Sequence, residues 1–147
     1  MTRVFQYPVL GIDIGDKRVG LAMARDSVAF PLSVLKRAQG EAEREIVALC
    51  QREGISLIVA GLPLGAHGEK NEQCQKVEIF CRRLKKRLPK VELVLVDEFG
   101  TSEDAADRLR SRPGGRDRAR GECLDALAAS IILQDYLNGV PTHENSR

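Results

Sequence analysis

The stretch Val9-Leu10-Gly11-Ile12-Asp13-Ile14-Gly15-Asp16-Lys17-Arg18-Val19-Gly20-Leu21-Ala22-Met23-Ala24 decides the reading of the fold. Two runs rich in apolar and small residues, 9–14 and 18–24, flank a short glycine-containing turn, the pattern of a β-hairpin. Residues 29–35 read as a third strand, with Pro31 marking an edge or an irregular start. Residues 41–53 place Ala42, Ile46, Leu49 and Cys50 at helical spacing, and Gly54 stops that helix. Leu57-Ile58-Val59-Ala60 is a short continuous apolar run, typical of a strand covered on both faces. A break at Gly61-Leu62-Pro63 precedes a second helix over 69–88, striped by Val77, Phe80, Cys81, Leu84 and Leu88 and ended by Pro89. Residues 93–96 form another buried strand. Thr101 or Ser102 caps a helix running to about residue 110, with Asp104 in a capping-box-like position. After an arginine-rich loop, residues 122–138 form the last helix.

Opening hairpins followed by βα alternation predict an α/β fold. The expected core is a mixed five-stranded sheet, a three-stranded antiparallel meander plus two parallel strands, flanked by helices. A chain of 147 residues suits one domain, 1–147, with 137–147 as a flexible tail. No repeat or linker divides it. The hydrophobic (43%) and charged (30%) fractions are those of a soluble globular protein, not a disordered or fibrous one. No apolar run approaches the roughly 20 residues of a membrane helix, and residues 1–7 lack a signal-peptide pattern, so a cytoplasmic location is expected.

Cys50, Cys74, Cys81 and Cys123 show no CxxC pairing and lie beside apolar residues in helical patterns, as small buried hydrophobes do in a reducing compartment. His67 sits in a loop and His143 in the tail, so zinc is not expected. The net charge of +2 does not by itself announce a nucleic-acid protein, but its distribution is uneven. Arg82, Arg83, Lys85, Lys86, Arg87 and Lys90 cluster on and after one helix, as on a solvated helix face. Arg108, Arg110, Arg112, Arg116, Arg118 and Arg120 surround Pro113-Gly114-Gly115. That arginine-rich loop suits phosphate contact, or serves as a plain connection.

Three carboxylates occupy costly positions. Asp13 lies inside the first strand between Ile12 and Ile14, where Asp is disfavoured and expensive to bury unpaired. Glu98 stands at the carboxyl end of a predicted core strand, the end at which open α/β sheets bind ligands. Asp97 beside it points to the opposite face by strand alternation. Asp125 begins the stripe Ala128, Ala129, Ile132, Leu133 and Tyr136, which puts a carboxylate on the core-facing side of a helix. Each has a plain structural alternative: turn amides for Asp13, the strand exit for Glu98, the helix N-terminus for Asp125. Converging at one end of the sheet, the three would repel unless a divalent cation joined them. Hard oxygen donors without His or Cys favour Mg²⁺ or Mn²⁺, which would activate water and neutralise charge on a phosphodiester.

These residues also carry a resemblance. The segment from Gly11 through Asp13, Gly15, Lys17 and Arg18 to Gly20 resembles the opening motif of the YqgF (RuvX-like) family, Holliday-junction-resolvase-like nucleases assigned to pre-ribosomal RNA maturation. Three further segments are similar to that family's signatures: Val59-Ala60-Gly61-Leu62-Pro63 with Gly68 and Gln75, Val96-Asp97-Glu98 with Thr101-Ser102, and Asp125-Ala126-Leu127-Ala128-Ala129 with Ile132-Leu133-Gln134. The likeness spans about 9–136 with the motifs in order. It implies a ribonuclease-H-like fold and carries catalytic and metal-holding roles onto Asp13, Glu98 and Asp125. Lys17 and Arg18 in the motif turn, and Gln75, Thr101 and Ser102, become candidate substrate contacts, beside Arg116, Arg118 and Arg120 of the loop. The family's usual Arg after the motif Glu is replaced here by Phe99.

The resemblance implies a divalent-metal-dependent endonuclease of ribosome biogenesis, acting in 5′-end maturation of pre-16S ribosomal RNA. Its partners would be precursor RNA and ribosomal particles, with junction DNA as the alternative substrate. A junction resolvase calls for a symmetric dimer and an RNA trimmer does not, so monomer and homodimer both stand. Two rivals are a nucleotide-binding enzyme of the actin–hexokinase type and a non-catalytic RNA- or ribosome-binding module. The first needs a second Asp-x-Gly lobe that this chain lacks; the second has no need of three acids.

Overall fold

The computed structural model describes residues 5–99 and 122–143. Strands β1 (Val9–Ile14), β2 (Arg18–Ala24) and β3 (Ala29–Lys36) form the meander. A 3₁₀ turn leads into helix α1 (Glu41–Glu53), then strand β4 (Leu57–Leu64), helix α2 (Glu72–Arg87), strand β5 (Glu92–Phe99) and helix α3 (Glu122–Leu137). The five strands lie in the order β3-β2-β1-β4-β5. The β1–β2 and β2–β3 pairs are antiparallel, and β1–β4 and β4–β5 are parallel. This is the mixed sheet expected from the sequence.

Alternation along the strands builds two apolar layers. Leu10, Ile12 and Ile14 of β1, with Ile58, Ala60 and Leu62 of β4, pack against α1 and α2 through Ile46, Phe80 and Leu84. Val9, Val59 and Val96 face the other way, onto Ala129, Ile132, Leu133 and Tyr136 of α3. Ala128, expected in the same stripe, belongs instead to a separate small cluster with Ile131. The reason is rotational: the stripe facing a flat sheet is narrower than the run of apolar residues on this helix, which is buried throughout 126–133.

Two strands run longer than expected. β4 continues through Gly61-Leu62-Pro63 because its pairing to β5 persists to Leu64, opposite Phe99, whereas its pairing to β1 ends at Ala60. Pro63 is tolerated there because its backbone faces away from β5; its carbonyl accepts from Asn71 Nδ2 at 3.0 Å. Asn71 also caps α2, its side chain accepting from the Cys74 amide, so that helix starts at Glu72 rather than Glu69. At the other end, Thr142 forms a single bridge with Val96 and the His143 amide donates to the Leu95 carbonyl. The predicted helix over 101–110 and the arginine loop lie outside the described residues.

Helix α3 sits unusually close to the sheet, and glycines make that possible. A Cβ on Gly20 would lie 2.0 Å from the Asp125 carbonyl oxygen, and one on Gly11 would lie 2.7 Å from Leu133 Cβ. At Gly61 the space is taken by Ile132 Cδ1, 2.6 Å from where a Cβ would be. Gln134 secures the contact laterally, accepting from the Ala29 amide at 2.9 Å and donating to the Ser27 carbonyl at 3.0 Å.

These distances order two substitutions. Gly20→Ala drives a methyl into backbone that cannot rotate away, and is expected to cost about 2–3 kcal/mol in urea unfolding. Gly61→Ala meets the flexible end of Ile132 and is expected to cost about 1 kcal/mol, after the small gain from a stiffer unfolded chain.

Candidate active site

Three elements bring their ends together at one edge of the sheet. β1, β4 and β5 are parallel, so Asp13 and Glu98 both stand near carboxyl ends. β2 runs the opposite way and therefore begins at that same edge, with Arg18. Asp13 is in register with Gly20, and the backbone of Asp125 rests directly on Gly20. The glycine contact thus delivers Asp125 beside Asp13.

The two carboxylates repel. Burial, and then the charge of Asp125, raise the Asp13 carboxyl from its ordinary 3.8 to about 6. Asp125 has its own counter-charge, since Arg18 Nε donates to its Oδ2 at 2.8 Å in a half-exposed pair. Glu98 lies on the same sheet face as Asp13 by alternation. Its Cγ is 3.4 Å from where a Gly61 Cβ would be, so the side chain leans over β4 through the space that glycine leaves. Asp97 points to the other side, where its carboxylate bonds His143 Nδ1.

Among the described residues, no three acid, His or Cys side chains converge tightly enough to cage a metal. The arrangement is an open one: two carboxylates near enough to repel and a third on the same sheet face. Such an open set can hold a hard divalent cation, of the kind that rests on one or two protein carboxylates and completes its shell with water and substrate phosphate. Burial first and the neighbouring Asp125 second keep the Asp13 carboxyl raised, while Arg18 offsets the charge of Asp125 alone.

The other candidate contacts divide. Lys17 is exposed in the hairpin turn, whereas Arg18, expected to meet a phosphate, is held on Asp125. Gln75 is exposed on the first turn of α2, on the sheet face opposite α3. Thr101, Ser102, Arg116, Arg118 and Arg120 lie outside the described residues, as does the side chain of Phe99. Cys50, Cys74 and Cys81 are buried, and burial pushes the thiols of Cys50 and Cys81 up to about 11 and about 12. They are packing residues.

Sequence reasoning passed over Lys36, Arg37 and Lys76. Together with Asp16, Lys17, Arg18, Ala38 and Ile79 they line an open groove of about 860 Å³ on the α2 side of the hairpin turn. Lys36-Arg37 was visible as a dibasic pair, but only the fold brings Lys76 beside it.

A family model described as Holliday junction resolvase, RuvX, matches residues 7–139. The chain belongs to the RuvX family. Within that family, a Salinibacter ruber protein carrying the name "putative pre-16S rRNA nuclease" is 41% identical over 134 residues, 88% of this chain and 92% of its own. A Desulforudis audaxviator protein of the same name is 36% identical over 141 residues, 94% and 99% of the two chains. Among solved structures, Thermus thermophilus RuvC superposes with a TM-score of 0.57 over 92% of this chain and 99% of that one, at 16% identity. The same protein in complex with a Holliday junction substrate gives 0.55. The RuvX chain therefore has the ribonuclease-H-like fold of RuvC. No helix of its described residues is long and apolar enough to cross a membrane.

The electrostatics of Asp13 have a consequence for stability. Its folded value lies above the unfolded one, so its contribution is fully present below about pH 4 and is lost as pH rises through about 6. Asp13→Asn removes the buried charge. Without divalent metal it is expected to stabilise the RuvX protein at pH 8 by up to about 3 kcal/mol. The gain should shrink towards pH 4, as thermal unfolding across that range would read.

Proposed function

We propose that this nuclease hydrolyses phosphodiester bonds of precursor 16S ribosomal RNA endonucleolytically, at the 5′ end, with Asp13, Asp125 and Glu98 holding Mg²⁺ or Mn²⁺. The observation that carries the reading is the pair Asp13 and Asp125, pressed together across Gly20 at the ligand-binding end of the sheet. Two carboxylates set against each other in a partly buried site add nothing to the stability of the fold. Their repulsion is a standing cost, and a cation-dependent task accounts for it. The choice of RNA follows the names of relatives 31–41% identical over most of the chain.

When bound, a divalent cation supplies an activated water and neutralises charge on the phosphoryl group. The chain's own residues prepare the place. Asp13 presents its carboxylate from a rigid central strand, and Asp125 from the first turns of a helix locked to the sheet. Arg18 balances the charge of Asp125 and stands ready to shift onto a phosphate. Glu98 approaches over Gly61 from β5. We place the protein, as one domain, in the cytoplasm with ribosomal particles as partners.

The test is cleavage of a precursor 16S RNA 5′ end and of a four-way DNA junction, with Mg²⁺ or Mn²⁺ and without either. The charge stabilisation at stake is several kcal/mol, so Asp13→Asn and Asp125→Asn should each lower the rate by about 10²–10³-fold while RNA affinity is kept. Preference for the junction would redirect the substrate to DNA. Wild-type protein that binds RNA but cuts neither substrate would point to a binding module.

A further inference from the structure

The groove beside the hairpin turn is cationic, preformed and joined to the acid pair. Five cationic side chains line it, Lys17, Arg18, Lys36, Arg37 and Lys76, against one carboxylate, Asp16. Lys17 and Lys36 are exposed and have no ion-pair partner among the described residues, and Lys76 makes only an exposed pair with Asp16 at 3.2 Å. Such a surface pair contributes little and is easily exchanged for a phosphate.

Arg37 is different. Its Nη1 donates to the Gly15 carbonyl at 2.9 Å, and its guanidinium lies over the Phe80 ring, 5.2 Å from the centroid. The ring and the turn carbonyl hold the plane in place before any ligand arrives. Its remaining N–H groups form a rigid donor fork of the kind that suits phosphate. Ile79, 44% exposed, offers the groove an apolar contact that a sugar or base face would cover and a bare anion would not. Arg18 lines the groove and also bonds Asp125, so the cationic track runs without interruption to the acids.

We propose that this groove, with Lys36, Arg37 and Lys76 as its contacts, binds the single-stranded stretch of RNA that flanks the phosphate held at Asp13 and Asp125. The inference rests on the nuclease reading for its orientation. A strand whose phosphate sits among acids needs cations immediately beyond them, and this is the face on which the described residues supply them. The groove is open along one side, so an extended strand can lie in it with its phosphates against the cations and a base or sugar face against Ile79.

Binding of a labelled single-stranded RNA oligonucleotide to the full chain, in EDTA and across a salt series, tests it. Lys36→Gln/Lys76→Gln is expected to weaken binding more than about tenfold at 0.1 M salt, and to lower the slope of log K against log salt by about 1.4. Lys86→Gln/Arg87→Gln makes the same charge change on exposed residues in the last turn of α2, and is expected to leave that slope unchanged. Equal losses in both double variants, or none in the first, would overturn the groove. Both lysines of the first variant are exposed, so an unchanged thermal midpoint should accompany the loss. Cleavage with Mg²⁺ is read separately. A wild type that cuts nothing while the groove variant loses binding retains the groove and removes the nuclease reading. Metal-dependent cutting with unaltered binding in the groove variant removes the groove alone.

Discussion

The backbone of helix α3 rests on Gly20 with no side chain between them, and most of the site depends on that contact. A helix ordinarily stands off a sheet by the depth of two side-chain layers. Here the sheet offers Gly11, Gly20 and Gly61 beneath the helix, and Leu133, Asp125 and Ile132 descend into the spaces. The close approach buries Ala129, Ile132 and Leu133 almost completely. It also fixes where Asp125 sits to within the tolerance of backbone packing, which is tighter than any side-chain rotamer could provide.

That precision is spent on an unfavourable juxtaposition. Asp13 is held in a strand whose alternate residues, Ile12 and Ile14, anchor the opposite layer, so it cannot turn away. Asp125 arrives with the helix. Packing on both sheet faces sustains a pair of like charges that neither element would tolerate alone, and Arg18 relieves only one of them. Strain of this kind is supported by the rigid scaffold around it, and it is where an otherwise consistent fold sets like charges against each other.

The hairpin turn between β1 and β2 links the two faces of the molecule. On one side, Asp13 and Arg18 meet Asp125 under α3; on the other, Gly15 accepts from Arg37 and Asp16 meets Lys76 of α2. Negative and positive surfaces therefore meet at one edge of the sheet. The same parallel β1, β4 and β5 that gather the acids also bring the start of α2 there, because α2 follows the carboxyl end of β4.

Periodicity made the elements legible from sequence alone. β1, β2 and α1 follow directly from their apolar alternation or helical spacing and their glycine stops, and the order of elements was enough to predict a mixed sheet. Asp13 and Asp125 stood out because a carboxylate in an apolar pattern is costly wherever the chain goes. Local pattern could not show how far β4 extends, because pairing with β5 carries that strand through Gly61 and Pro63. Nor could it show that Arg18 would hold Asp125, 107 residues away, or that Lys76 would stand beside Lys36 and Arg37. By itself the sequence determined which residues are apolar, which are charged and which lack a side chain, and hence the order and type of the elements in 5–99 and 122–137 and the suspect acids. Only the tertiary structure decided which of them meet, since contacts between distant segments arise from sheet register and helix approach, and neither is written in any local window.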